Sequence, residues 1–119
     1  MLRDGATLLD IARAARLIVE FRQGMDRAAF LADAKTQSAI LHQLLVLGEA
    51  AKRLSATFTS QHPEMPWRLM ARMRDRLIHG YDAVDLDQVW YVVEGDIARL
   101  LCLIEPLLPR DDTEPRSRT

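Results

Sequence analysis

Apolar residues recur every three or four positions along most of this chain, and this spacing limits the available folds more than any other feature. The clearest run lies near the C-terminal end: Leu86, Val89, Val93, Ile97, Leu100, Ile104 and Leu107. Steps of three and four place apolar side chains on one face of an α-helix. No stretch shows the alternation with a period of two that is typical of a half-buried β-strand. The spacing therefore predicts an all-α protein.

Capping and breaking residues predict where the first helices begin and end. The first helix is predicted over about residues 5–23, with Gly24 ending it. Asp26 is predicted to be the N-cap of a short helical turn. Asp33 is predicted to cap a second long helix that runs to about Leu54.

Two further long helices are predicted after a break. Residues 55–64 are rich in Ser, Thr and Pro, and this composition predicts a loop. Pro66 suits the first turn of a third helix, which Gly80 ends. Asp85 and Gln88 have the spacing of a capping box and are predicted to open a fourth helix over the apolar run described above.

Four such helices predict a four-to-five-helix up-and-down bundle. The near-heptad spacing of the last helix suits packing inside a bundle and contact with a second copy, so a two-fold homodimer is expected. The 119 residues are long enough for one domain. We assign residues 1–108 to the helical domain and residues 109–119 to a flexible C-terminal tail.

Charge and hydropathy exclude several classes of protein. The formal net charge of −1 argues against a broad nucleic-acid-binding surface but is compatible with a local basic patch. No apolar stretch reaches the roughly 18 residues that a membrane-spanning helix needs, and we expect a cytoplasmic protein. Cys102 is the single cysteine. It lies in an apolar run and is expected to be buried as a small hydrophobic residue.

The end of the third predicted helix carries the residues that point to chemistry. Arg74 can bind a phosphate with two parallel hydrogen bonds, and His79 titrates near neutral pH. Asp75 lies four positions before His79, on the same helix face, so its carboxylate is expected to orient the imidazole. Tyr81 adds a hydroxyl group that can be modified. These residue types suit phosphodiester cleavage or nucleotide binding.

On an ideal helix the two principal candidate residues, Arg74 and His79, project in different directions. Arg74 lies about 140° from His79 on an ideal helix. Either the long arginine side chain bends around the end of the helix, or a two-fold-related second copy completes the site. Arg72 and Arg76 add positive charge nearby. They are candidate contacts for phosphate or RNA, with a solvated helix face as the alternative.

Two segments of the chain resemble a known family. Residues 73–81 match the pattern Arg-x-x-x-x-His-x-Tyr, and residues 47–54 form a second matching run upstream, with Pro66 and Trp67 between them. The chain resembles the HEPN superfamily, specifically the HepT-like toxins of toxin–antitoxin systems that contain a minimal nucleotidyltransferase. The resemblance spans about residues 5–108.

The resemblance implies an all-helical dimer that acts as a metal-independent ribonuclease with its cleft at the dimer interface. Arg74 and His79 would be catalytic, with Asp75 supporting them and no metal or cofactor taking part. The implied system is type VII-like: a nucleotidyltransferase antitoxin would attach AMP to Tyr81 and so neutralise the toxin. This branch of the family often has Asn where this chain has Asp75. The difference affects whether the site can catalyse RNA cleavage.

Two other functions remain compatible with the same residues. One is a catalytically silent HEPN-type module that binds a nucleotide or docks a nucleotidyltransferase. The other is a purely structural dimeric bundle. Substitution of Arg74 and His79 should abolish RNA cleavage in the ribonuclease and should change neither binding nor growth in the structural bundle. The silent module predicts stabilisation by a ligand without turnover.

Overall fold

The computed structural model describes residues 2–80, 82 and 84–109, and over these residues the protein is all-α, as predicted. The predicted tail beyond residue 109 and the position of Tyr81 lie outside the described residues. The helices are α1 (Leu2–Arg22), α2 (Arg27–Leu31), α3 (Ala34–Lys52), α4 (Ala56–Gln61), α5 (Trp67–His79), α6 (Leu86–Tyr91) and α7 (Ile97–Ile104). A π-helical turn, Val92–Asp96, joins α6 to α7, and a short 3₁₀ helix, Glu105–Leu107, follows α7.

Three of the predicted helix starts are confirmed by their caps. The carboxylates of Asp26, Asp33 and Asp85 each accept a hydrogen bond from the backbone N–H three positions further on. Such bonds satisfy donors that the first turn of a helix leaves without a partner. The predicted capping box at Asp85 forms only in part. The Asp85 carboxylate accepts from the backbone N–H of Gln88, but the side-chain oxygen of Gln88 accepts from Nη1 of Arg76, at 2.9 Å, rather than from the backbone N–H of Asp85.

The predicted loop over residues 55–64 is wrong, because it contains α4. Ser55 caps this helix: its hydroxyl oxygen accepts from the backbone N–H of Phe58 at 3.1 Å. Ser55 is itself held by the buried carboxylate of Asp4, which accepts from its backbone N–H at 3.0 Å and from its hydroxyl at 2.7 Å. The serine therefore marks a helix start rather than a flexible loop.

The predicted fourth helix is interrupted by the π turn. Its two parts contact different partners, since α6 packs against α2 and α7 packs against α1. Phe30 of α2 and Trp90 of α6 form one of these contacts, with ring centroids 5.5 Å apart. A π turn accommodates one residue more than an α turn, which rotates the helix that follows by about 100°. The apolar spacing did not predict the π turn, although the predicted run is buried through it from Val89 to Ile104.

The core lies between four long helical segments, formed by α1, α3, α5 and the α6–α7 segment. Its largest fully buried side chains are Phe30, Ile11, Ile18, Ile40, Leu47, Leu100, Ile104, Val89 and Val93. Cys102 is exposed, contrary to expectation, because Leu100 and Ile104 occupy the inner face of α7. Among the described helices, none has both the length and the apolar character needed to cross a membrane.

Candidate functional site

The candidate site begins at a very close approach between α3 and α5. Gly48 of α3 faces Arg74 of α5, and a Cβ atom placed on Gly48 would lie 2.3 Å from Cβ of Arg74. The same atom would lie 2.8 Å from the backbone oxygen of Met70. Neither group is the flexible end of a side chain, so a larger residue at position 48 would push the helices apart. Glycine at this point brings the base of Arg74 next to the turn of α3 that carries Glu49.

The guanidinium of Arg74 is held by two carboxylates. Its Nε donates to Oε2 of Glu49 at 3.0 Å, and its Nη2 lies 3.0 Å from the same oxygen. Its Nη1 donates to Oδ1 of Asp75, also at 3.0 Å. Lys52 reaches the same Asp75 oxygen from α3, with its Nζ at 3.2 Å. We refer to Glu49, Lys52, Arg74 and Asp75 as the charge cluster.

The contacts within the charge cluster favour the ionised forms of Arg74 and Asp75. Hydrogen bonds to Asp75 and then to Glu49 raise the pKa of Arg74 above its ordinary value. Hydrogen bonds from Arg74 and then from Lys52 lower the pKa of the Asp75 carboxyl. Two basic and two acidic side chains contact one another, so the cluster carries no formal net charge. The Arg74 side chain is 24% exposed, so solvent still reaches this balanced group.

His79 has very different surroundings. It is exposed, and it is the last residue of α5. The expected contact with Asp75 does not form: within the described part of the chain, the Asp75 carboxylate is bound by Arg74 and Lys52, and no hydrogen bond reaches His79. Lys52 of α3 and the adjacent Arg74 thus bind Asp75 in place of His79, the partner that the i,i+4 spacing predicted.

Gly80 ends α5 immediately after His79. Its backbone has a φ of 138°, a value that side-chain-bearing residues rarely adopt. Its N–H donates to the backbone oxygen of Leu77 at 3.2 Å. The predicted helix end at Gly80 is confirmed. Tyr81, the next candidate residue, falls among the positions that the structure does not describe.

Arg72 and Arg76 lie on another side of α5. Each is two positions from Arg74, which corresponds to about 160° around an ideal helix. Together with Gln88 and neighbouring apolar side chains they line a separate cleft of about 220 Å³. The structure therefore does not bring these two arginines into the charge cluster.

Sequence reasoning missed the role of α3 in this site. Glu49 and Lys52 were part of the run that carried the family resemblance, but nothing in their spacing connected them with Arg74. A usable signal was Gly48, because glycine inside a long helix is unfavourable unless another element must approach closely. For metal binding, the described residues contain no group of three or more His, Cys, Asp or Glu side chains placed to hold an ion.

Fold and site together define an all-α protein in which one helix presents a carboxylate-held arginine and, five residues later, an exposed histidine. Comparison with protein families gives a match to the family described as ribonuclease HepT-like, over residues 11–107. The match covers most of the chain. The protein belongs to the HepT-like family.

Individual relatives agree with this assignment. A probable ribonuclease HepT from Thermococcus cleftensis is 47% identical over 100 residues, which is 84% of this chain and 91% of the relative. A protein of Methanocaldococcus jannaschii named as a candidate RNase is 37% identical over 103 residues, covering 87% and 85% of the two chains. Another candidate RNase, from Caldanaerobacter subterraneus subsp. tengcongensis, is 29% identical over 101 residues, covering 85% and 90%. No solved structure gives a significant match.

Proposed function

We propose that this protein is a metal-independent ribonuclease and the toxin of a type VII-like toxin–antitoxin system, acting on RNA in the cytoplasm. One observation carries the proposal: Arg74, held by two carboxylates, precedes an exposed His79 by five positions in a chain of the HepT-like family. The names of the relatives describe those proteins as ribonucleases and so support an RNA substrate here.

The proposed reaction is an attack by the ribose 2′-oxygen on the adjacent phosphorus. His79 takes the proton of the 2′-hydroxyl, the new P–O bond forms, and the bond to the 5′-oxygen breaks. A protonated imidazole then gives a proton to the leaving 5′-oxygen. Arg74 stabilises the negative charge that develops on the phosphate. The products are a 2′,3′-cyclic phosphate and a free 5′-hydroxyl.

The proposed active form is a two-fold homodimer. Arg74 and His79 lie about 140° apart around α5, so one copy presents them in different directions. A second copy, related by a two-fold axis, would supply its own histidine beside the first copy's arginine. The RNA would then be bound in a cleft between the two copies.

The proposed partner is a nucleotidyltransferase antitoxin that attaches AMP to Tyr81. Tyr81 follows His79 by two positions, so a modification there would lie close to the proposed site of cleavage. The added group is bulky and negatively charged, and it would repel the phosphates of RNA and block access to His79.

One observation favours a second candidate function, a catalytically silent module that binds a nucleotide or docks a nucleotidyltransferase. The charge cluster is balanced, and the carboxylates of Glu49 and Asp75 reduce the positive charge that Arg74 offers to the phosphates of RNA. This candidate predicts that a nucleotide raises the unfolding temperature without any turnover of RNA.

The experiment that tests the proposal is induction of the wild type, Arg74→Ala and His79→Ala in a heterologous bacterium, with growth and RNA integrity as readouts. Growth arrest with RNA loss in the wild type alone is the expected result. Arrest by all three forms would show that these two residues are not catalytic. No arrest by any form, with soluble protein present, would contradict the ribonuclease and favour the silent module.

A further inference from the structure

We propose that Glu49 is a positioning residue that selects the edge of the Arg74 guanidinium offered to the RNA phosphate, and that it does so at the expense of RNA affinity. The inference rests on the proposed ribonuclease function. It gives a role to a residue of α3, a helix that carries none of the candidate residues predicted from the sequence.

A count of hydrogen-bond donors shows which edge remains available. An arginine has five N–H donors: one on Nε and two on each terminal nitrogen. Glu49 accepts a hydrogen bond from Nε and forms an ion pair with Nη2, and Asp75 accepts a hydrogen bond from Nη1. Among the described residues, the remaining N–H groups of the guanidinium, one on Nη1 and two on Nη2, donate no hydrogen bond, so each terminal nitrogen keeps at least one available donor. A phosphate binds arginine through such a pair of parallel N–H groups.

Packing explains why Glu49 can hold this orientation. The close approach at Gly48 brings the two helices together at the base of Arg74, so Glu49 and Arg74 project from rigid elements rather than from loops. Two of the three contacts made by the guanidinium go to Glu49. Without that carboxylate only the neighbouring Asp75 remains, and a long arginine side chain regains several rotatable bonds. A catalytic group that moves out of its productive orientation slows the reaction.

The negative charge of Glu49 explains why this residue lowers the affinity for RNA. The charge cluster is balanced because Glu49 and Asp75 offset Arg74 and Lys52. An approaching phosphate therefore meets a carboxylate as well as a guanidinium. Substitution of Glu49 by Gln removes this opposing charge and replaces the charge-assisted contacts to Arg74 by a weaker neutral one. RNA should then bind more tightly while cleavage becomes slower, a pair of opposite changes that a purely structural residue would not produce.

The test measures cleavage of a short RNA by the purified wild-type protein and by Glu49→Gln. We expect the KM of the variant to fall about threefold and its kcat to fall about tenfold. The matched control is Glu105→Gln, which neutralises a glutamate in another exposed ion pair, 2.7 Å from Arg16. The control should leave both constants within about twofold of the wild type. Unchanged constants for Glu49→Gln, or a KM that rises, would overturn the inference.

A second measurement separates failure of this inference from failure of the proposed function. Affinity for an uncleavable 2′-O-methyl oligonucleotide, followed by fluorescence anisotropy, requires no turnover. Tighter binding by Glu49→Gln than by the wild type supports the inference even if the wild type cleaves no RNA, in which case only the ribonuclease proposal is lost. Equal or weaker binding overturns the inference. In an Arg74→Ala background the change at position 49 should affect binding less than it does in the wild type, and an effect of equal size would also overturn the inference.

Discussion

The α3–α5 contact and the C-terminal end of α5 hold the two candidate catalytic residues in contrasting surroundings. Arg74 is mostly covered, faces Gly48 at close range and contacts two carboxylates. His79 is exposed, follows five positions later and lies next to a glycine with positive φ. Helix α5 therefore carries Arg74, whose side chain is held by contacts within a single copy of the protein, and His79, whose side chain is not held in this way.

This difference separates two kinds of contribution. The α3–α5 contact supports the fold as well as the proposed site, so substitutions there should alter stability together with activity. His79 itself is exposed and lies outside the core, so substitutions at His79 should alter chemistry alone. The following predictions test this division, beginning with the largest expected effect.

Replacement of His79 by Ala should remove catalysis without weakening the fold. General acid–base groups contribute about 100-fold to 10,000-fold to rates, so RNA cleavage should fall by that factor. The unfolding temperature should change by no more than about 1 °C, because an exposed side chain makes few stabilising contacts. The control is His42→Ala on the exposed face of α3, which should leave cleavage intact. Activity retained by His79→Ala would assign catalysis to another residue.

Replacement of Gly48 by Ala should damage the α3–α5 contact. The new Cβ would meet Cβ of Arg74 at 2.3 Å, so the helices must shift. We expect a loss of about 1–3 kcal/mol in the free energy of unfolding, measured by urea titration, with a parallel loss of cleavage. The matched control is Gly95→Ala, because a Cβ at Gly95 meets nothing within 4 Å. Equal stability of Gly48→Ala and the wild type would show that the helices do not depend on this close approach.

Replacement of Tyr81 by Phe should separate regulation from catalysis at the end of α5. The variant loses only the hydroxyl that would accept AMP, so cleavage should stay within about threefold of the wild type. Co-expression with a nucleotidyltransferase of this kind of system should then neutralise the wild type and leave the variant toxic. If the antitoxin neutralises both equally, modification of Tyr81 is not the means of control.

The smallest expected effect is the change of stability with pH that Asp75 contributes. Its pKa is lowered in the folded protein, first by Arg74 and then by Lys52, from the ordinary value of 3.8. Its stabilising contribution is therefore fully present above that value and is lost as the pH falls through the lowered pKa. Asp75→Asn should unfold at a slightly lower temperature than the wild type near neutral pH. The two melting curves should converge in acid, and a constant difference would argue against the charge pairing.

Local signals predicted much of this fold. Asp33, Asp85 and Gly80 act within one turn of chain, so their effects could be inferred from neighbouring residues. The contact of Arg74 with Glu49 joins residues 25 positions apart and depends on how closely two helices approach, which spacing along one helix does not indicate. Asp75 shows the same competition, because a lysine from another helix and the adjacent arginine took the place of the predicted histidine.

The π turn between α6 and α7 has a practical consequence for comparing this chain with its relatives. A single helical wheel cannot represent residues 86–104, because the two halves need wheels offset by about 100°. Such a turn holds one additional residue, and Gly95 lies within it, exposed and with space for a Cβ atom. A relative that is one residue shorter at this point could keep both buried faces unchanged. An alignment gap belongs inside the turn rather than in the loops at either end.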